Sequence, residues 1–193
     1  MKNICIFCGS SPGKGKTYKK EAKAFGKLLA KNNYRLVYGG GSTGLMGAVA
    51  DGVIDAGGKV LGVIPEFLIK KEIGHNKIHE MIVTDTMHER KQKMADISDA
   101  FIALPGGMGT MDELCEIVTW SQLGLHKKPI GIYNINGFFD LQLMMFDKMV
   151  EERFVSEAHR KIMINDYDPV RLLDKLKNYK SPVTEKWLDR EKV

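Results

Sequence analysis

Short β-rich apolar runs alternate with stretches of helical spacing along almost the whole chain: ICIFC, RLVYG, KVLGVI, EMIVT, AFIAL and PIGIYNI, with a weaker KIMIN near the C-terminus. That alternation predicts a parallel sheet wrapped by helices. The first helix is expected from about Thr17 to Lys31, with Ala22, Phe25 and Leu29 on one face and its lysines elsewhere. Thr43 is placed to open a second helix, and Asp168-Pro169 reads as an N-cap followed by proline at the first helical position of a late one. No linker-like stretch or internal repeat divides the chain. The expected fold class is therefore α/β, a single-domain Rossmann-like, doubly wound parallel sheet flanked by helices over residues 1–180. Residues 181–193 are expected to form a loosely held tail.

Composition narrows the function classes. A chain of 193 residues with 44% hydrophobic content suits one well-cored domain. The N-terminal MKNICIFCGSSPGKGK has too short an apolar run for a signal peptide, and no later run approaches a membrane span, so a cytoplasmic protein without a membrane partner is expected. Three cysteines make no disulfide framework. Cys5 and Cys8 spell C-x-x-C, but residues three apart on a strand face opposite ways, which argues against a redox or zinc pair. The formal charge of +5 is spread in runs such as KTYKKEAK and KKEIGHNK, which read as solvated faces. Without zinc-finger spacing or an RNA-binding aromatic signature, no nucleic-acid partner is expected.

Three glycine-rich turns follow predicted strands. GSSPGKGKT imitates a phosphate-binding P-loop but fails on spacing, because the required first glycine is Ser10. GGGSTG, Gly39 to Gly44, satisfies G-x-G-x-x-G with Glu66 further on, yet it follows the second strand rather than the first. Its N–H groups and the following helix N-terminus are expected to suit an anion better than NAD. PGGMGT, Pro105 to Thr110, is expected to end at Thr110 with the start of a helix. Turns after strands one, two and five would share the carboxyl edge of one sheet, where open α/β sheets bind ligands. A phosphorylated small molecule is the economical expectation.

Two charged residues sit where the pattern wants something else. Thr110-x-x-Glu113 spells a capping box, so Glu113 is either a helix cap or a chemical group. Arg90 interrupts the stripe formed by Met87, Met94 and Ile97, and so either snorkels or meets an anion. Glu113 lies in line with Ile117 and Trp120, so both charges are expected to face inward. A carboxylate at a helix N-terminus should be held ionised, favouring an acceptor, base or cation stabiliser over a general acid. His79-Glu80 and His88-Glu89 lack the second histidine of a zinc motif, and no G-x-S-x-G elbow occurs, so a metal-free site is expected.

CGSS after the first strand, YGGGSTGLMG, MHERK and PGGMGTMDE, in this order and spacing, resemble the Lonely guy (LOG) family of cytokinin riboside 5'-monophosphate phosphoribohydrolases, often mislabelled lysine decarboxylases. The resemblance spans Met1 to about Tyr179. It implies a Rossmann-like fold, usually dimeric in short members, and cofactor-free hydrolysis of a nucleoside 5'-monophosphate to free base and ribose 5-phosphate. The family's catalytic Arg and Glu match Arg90 and Glu113. Its nucleotide-binding positions match Glu72, Lys91 and the loop Gly107, Met108, Gly109 and Thr110. Gly106 joins these as a candidate substrate contact, with Ser10, Gly40, Gly41 and Met87 from the same motifs. Asp112 departs from the Glu of many members, and Met108 fills a variable place often taken by Tyr. Decarboxylation would need pyridoxal phosphate on a Schiff-base lysine, and nothing singles out one lysine here. A non-catalytic nucleotide-binding or carrier protein of the same fold is the other reading that the loops allow.

Overall fold

Seven strands form one parallel sheet in the order β4-β3-β2-β1-β5-β6-β7 in the computed structural model, which describes residues 1–69 and 74–182. In chain order the elements are β1 (Asn3–Phe7), α1 (Thr17–Lys31), β2 (Arg35–Tyr38), α2 (Gly44–Asp55), β3 (Val60–Pro65), the single turn α3 (Glu66–Ile69) and β4 (Glu80–Thr84). Then come α4 (Met87–Ile97), β5 (Ala100–Ala103), α5 (Met108–Gln122), β6 (Ile130–Tyr133), α6 (Asp140–Glu151), α7 (Glu157–Arg160), β7 (Met163–Asp166) and α8 (Pro169–Lys177). All seven apolar runs became strands. The inner strands β1, β2, β3, β5 and β6 are almost wholly buried, as a parallel sheet covered on both faces requires, whereas β4 lies at an edge and is partly exposed.

From β1 the chain winds outward to β4, then returns to the centre, where β5 pairs with β1 in register Ile4↔Ala100 through Phe7↔Ala103. The winding direction reverses at this seam, so the loops leaving β1 and β5 part and open a crevice at the carboxyl edge. One core, with Ile4, Ile6, Phe25, Leu29, Val49 and Leu172, lies under α1, α2 and α8. The other, with Cys5, Phe7, Val63, Met94, Leu114 and Leu143, lies under α4, α5 and α6. Cys5 and Cys8 fall in opposite cores as unpaired thiols, as their spacing implied. Among the described residues no helix is long and apolar enough to cross a membrane.

Helix α1 spans Thr17–Lys31 as expected, and Asp168 caps α8 by accepting from Val170 and Arg171 N–H, both at 2.8 Å. Helix α2 is buried over most of its surface because α1 lies across it at backbone distance. A Cβ on Gly26 would strike the Val49 carbonyl, and one on Gly52 the Lys23 carbonyl. Alanine at Gly52 would gain about 1 kcal/mol of helix propensity. Overpacking against a backbone that cannot rotate away costs up to about 3 kcal/mol. Gly52→Ala should thus lower unfolding free energy by about 2 kcal/mol, seen as a lower urea midpoint at unchanged m-value; an unchanged midpoint would show that the two helices can move apart freely.

The predicted tail from residue 181 falls, apart from Ser181 and Pro182, outside the described residues.

Candidate active site

The crevice walls are built from backbone. Gly9 N–H donates to the Pro105 carbonyl (3.1 Å), and the Gly9 carbonyl accepts from Leu45 N–H (3.0 Å) and Met46 N–H (3.3 Å). The anion expected at the N-terminus of α2 thus meets competition from the chain itself, since two of the helix's first amides are spent on Gly9. Gly44, at φ +59°, has no room for a side chain beside the Ser10 backbone. Gly40 and Gly41 are buried under the segment that follows residue 73: His75 N–H donates to the Gly40 carbonyl at 3.1 Å, and Gly41 pairs with Gly74. Neither lines the crevice.

Helix α5 begins three residues earlier than its sequence suggested. Gly107, not Thr110, is its N-cap, and the helical ladder starts with Met111 N–H donating to the Gly107 carbonyl at 3.2 Å. The cause is the glycine turn. Gly106 lies against the buried Thr110 hydroxyl where a Cβ would clash, which lets the chain turn into the helix at once. The Thr110–Glu113 capping box therefore does not form. The equivalent pattern operates on α4 instead, where the Thr86 hydroxyl accepts from Glu89 N–H (3.1 Å) and the Glu89 carboxylate accepts from Asp85 N–H (2.9 Å).

Released from capping, Glu113 points at Arg90. One Arg90 Nη lies 3.7 Å from the Glu113 carboxylate, and the two side chains are 9% and 13% exposed. Arg90 Nε donates to the Val63 carbonyl (3.1 Å), and its other Nη lies 3.9 Å from Met87 Sδ, so the guanidinium is fixed from three sides rather than snorkelling. Gly39 makes room for it, because a Cβ there would occupy the place of Arg90 Nη2.

The pair faces a cleft of about 250 Å³ lined by Cys8, Gly9, Ser10 and Met46 on one side and Gly107, Met108, Gly109 and Thr110 on the other. A larger, shallower hollow of about 480 Å³ follows the lysine face of α1, but it carries no acid–base pair, so size does not select the site.

Burial pushes the Glu113 carboxyl up to about 7; Arg90 and Lys91 pull it down, while Asp112 and Glu116 add to the rise. The expectation of a firmly ionised Glu113 is thereby corrected. With α5 starting at Met108, Glu113 sits in the second turn, beyond the reach of the terminal dipole, and desolvation dominates. A carboxyl poised near neutrality can hold or release a proton at physiological pH. The Cys8 thiol, also in the cleft, is raised above its ordinary range by burial and by Glu113, and is therefore a neutral lining group.

Of the candidate residues, the structure brings together Ser10, Arg90, Gly107, Met108, Gly109, Thr110 and Glu113, with Met87 behind Arg90 and Gly106 beneath Thr110. Lys91 is elsewhere: its ammonium meets Asp112 at 2.7 Å and Glu116 at 3.3 Å, outside the cleft lining. Glu72 lies outside the described residues. Cys8, Gly9, Gly39 and Met46 lie within the motifs quoted from the sequence but are not among its candidate site residues, although Cys8 and Gly9 directly follow a strand at the carboxyl edge, a position that itself points to a ligand site.

Residues 46–176 match the family described as possible lysine decarboxylase. A probable cytokinin riboside 5'-monophosphate phosphoribohydrolase of Oryza sativa subsp. japonica is 48% identical over 179 residues, covering 93% of this chain and 72% of that protein. A cytokinin riboside 5'-monophosphate phosphoribohydrolase of Arabidopsis thaliana is 48% identical over 179 residues, 93% of this chain and 84% of that protein. Among solved structures, the Moco carrier protein of Chlamydomonas reinhardtii shares the fold, with TM-score 0.68 at 19% identity over 92% of this chain and 96% of that one. Identity of that order across nearly the whole chain, together with a family match over more than half of it, means that the chain belongs to the Lonely guy family, the cytokinin riboside 5'-monophosphate phosphoribohydrolases also described as possible lysine decarboxylases.

Proposed function

We propose that the protein hydrolyses the N-glycosidic bond of adenosine 5'-monophosphates, N6-substituted ones included, releasing free base (cytokinin or adenine) and ribose 5-phosphate. The observation that carries this reading is the Arg90–Glu113 pair held over a glycine turn at the β1/β5 seam. The names of the curated relatives support it. The first amides of α5, at Met108 and Gly109, have no carbonyl one turn back within the helix and lie at the exposed cleft wall, which suits the 5'-phosphate. As the C1'–N9 bond breaks, the base leaves with the bonding electrons and positive charge grows on the sugar. The ionised Glu113 carboxylate stabilises that charge and takes a proton from the water that adds to C1'; that proton passes on to the departing base, which is released neutral while Glu113 returns to its ionised form. Arg90, permanently charged, stabilises negative charge on the phosphate and on the departing base.

The decarboxylase description would call for pyridoxal phosphate on a lysine. The described cleft lining holds no lysine, and Lys91 is engaged by Asp112 and Glu116, so these residues do not fit that group. The proposed form is a homodimer, as is usual for short family members, acting in the cytoplasm without nucleic-acid or membrane partners.

The test is release of base and ribose 5-phosphate from AMP and from N6-isopentenyladenosine 5'-monophosphate between pH 5 and 9, with and without EDTA. Cleavage should resist EDTA. Because the ionised carboxylate is the active form, kcat/KM should rise with pH through about 7 and then level, following the raised Glu113 carboxyl. Nucleotide binding without cleavage at any pH would make the protein a carrier instead.

A further inference from the structure

Helix α1 carries a face of lysines that neither the core nor the cleft uses. From the N-cap onward, Lys16, Lys19, Lys20, Lys23 and Lys27 recur at three- and four-residue intervals, which sets them in one stripe along the helix. They line a single hollow of about 480 Å³, with Gly15 and Ala24 between them. Lys23 is drawn to Asp55 at 2.8 Å; among the described residues the other four form no salt bridge. Glu21, the acidic residue of α1, turns away and accepts from the Tyr133 hydroxyl at 3.0 Å. This arrangement works against the helix. No acid stands in its first turn, so Lys19 meets the positive end of the dipole, and lysines four apart repel one another. The stripe thus costs the folded chain stability until an anion neutralises it.

The spacing limits what that anion can be. From Lys16 to Lys27 the stripe runs roughly 16 Å along the helix, so a ligand that meets it all must carry charge at several points over that length. A lone phosphate or a mononucleotide is too short. The lining holds no aromatic side chain on which a base could stack, and no bulky apolar one to enter a bilayer or anchor a protein partner. Lysine offers a point charge with rotatable donors rather than the planar fork of arginine, which suits successive tetrahedral phosphates without dictating their register. We propose that the lysine hollow of α1 binds a linear polyphosphate, a chain of phosphates carrying neither bases nor lipid. Its lining shares no residue with the cleft of Arg90 and Glu113, so the site stands independently of the phosphoribohydrolase reading. Bound phosphates supply the negative charge that α1 lacks, and the ligand therefore stabilises the fold.

The test measures calorimetric binding and thermal melts with three probes: linear polyphosphate, inorganic phosphate at equal total phosphorus, and a single-stranded oligonucleotide of equal charge. The full chain is compared with Lys19→Gln/Lys20→Gln/Lys27→Gln and with Lys2→Gln/Lys59→Gln/Lys161→Gln, which removes the same charge from exposed lysines elsewhere. Polyphosphate should bind the wild-type chain and raise its Tm, whereas inorganic phosphate should do neither. The α1 variant should bind polyphosphate at least about tenfold more weakly and with a shallower salt dependence, because fewer charges are neutralised. The control variant should stay close to wild type. Without ligand the α1 variant should melt no lower than wild type, since it sheds like-charge repulsion, so weaker binding is not a folding defect. Hydrolysis of N6-isopentenyladenosine 5'-monophosphate should be unaltered in both. Equal weakening in the two variants would reduce the effect to net charge, an oligonucleotide bound as tightly as polyphosphate would make the stripe a nucleic-acid surface, and no binding at low salt would leave it a solvated face; each of these overturns the proposal.

Discussion

Glu113→Gln should abolish most turnover while making the protein more stable at alkaline pH. Gln keeps the size of the side chain and, with α5 capped at Gly107, disturbs no cap. It removes the negative charge that the developing sugar cation needs, and loss of one such buried electrostatic contact costs about 100- to 1,000-fold in kcat. The stability effect has the opposite sign. Burial raises the Glu113 carboxyl from the ordinary 4.5 to about 7, against the pull of Arg90 and Lys91, so between those values the folded state binds more protons than the unfolded one. Stability contributed by this group therefore falls as pH rises through that window and remains low above it. A shift of this size corresponds to about 3 kcal/mol at pH 8. Relief of that cost should raise Tm by roughly 6–12 °C at pH 8 for a chain of this length, with the advantage gone near pH 4. Thermal melts of the two proteins at both pH values check this. A variant that is less stable than wild type at pH 8 would show that the carboxylate is paid for by Arg90 after all.

Gly39→Ala should cost activity through a residue outside the cleft lining. The added methyl would take the place of Arg90 Nη2, with Met46 Sδ 3.3 Å away on the other side. Arg90 is held by the Val63 carbonyl and is 8% exposed, so the guanidinium has little room to yield. Displacing it by about 1 Å should lower kcat about 100-fold. Overpacking should also cost about 1–3 kcal/mol of stability. Steady-state kinetics beside a urea melt separate the two effects. Full activity in a folded variant would show that the position of Arg90 is not critical.

The fold was legible because each of its signals is local. An apolar run flanked by turns reads as a buried strand without knowledge of its neighbours, and α1 and the Asp168 cap followed from spacing and residue type alone. Arg90 was legible as a violation, a charge in the stripe of a packing helix. The start of α5 was not legible. A capping box at Thr110 and Glu113 is a sound local pattern, and what overrides it is the approach of Gly106 to Thr110 and of Pro105 to Gly9 across the sheet. The partners of Lys91 were hidden for the same reason, since they lie on the next helix. Gly39 carried a signal that was read for the wrong purpose: its place in G-x-G-x-x-G suggested a ligand's phosphate, whereas the neighbour it admits is the protein's own guanidinium.

The pairing of β1 with β5 has a kinetic meaning. Gly9 meets Pro105 only when strands from opposite halves of the chain lie side by side. Such distant contacts pay a large loop-closure entropy before they are rewarded, and they form slowly. During synthesis, a nascent chain that has emerged only through β4 holds two of the three glycine turns but neither Arg90 nor Glu113, nor the wall from Gly107 to Thr110. Catalytic competence therefore waits until β5 docks on the open edge of β1 and brings α5 to the cleft.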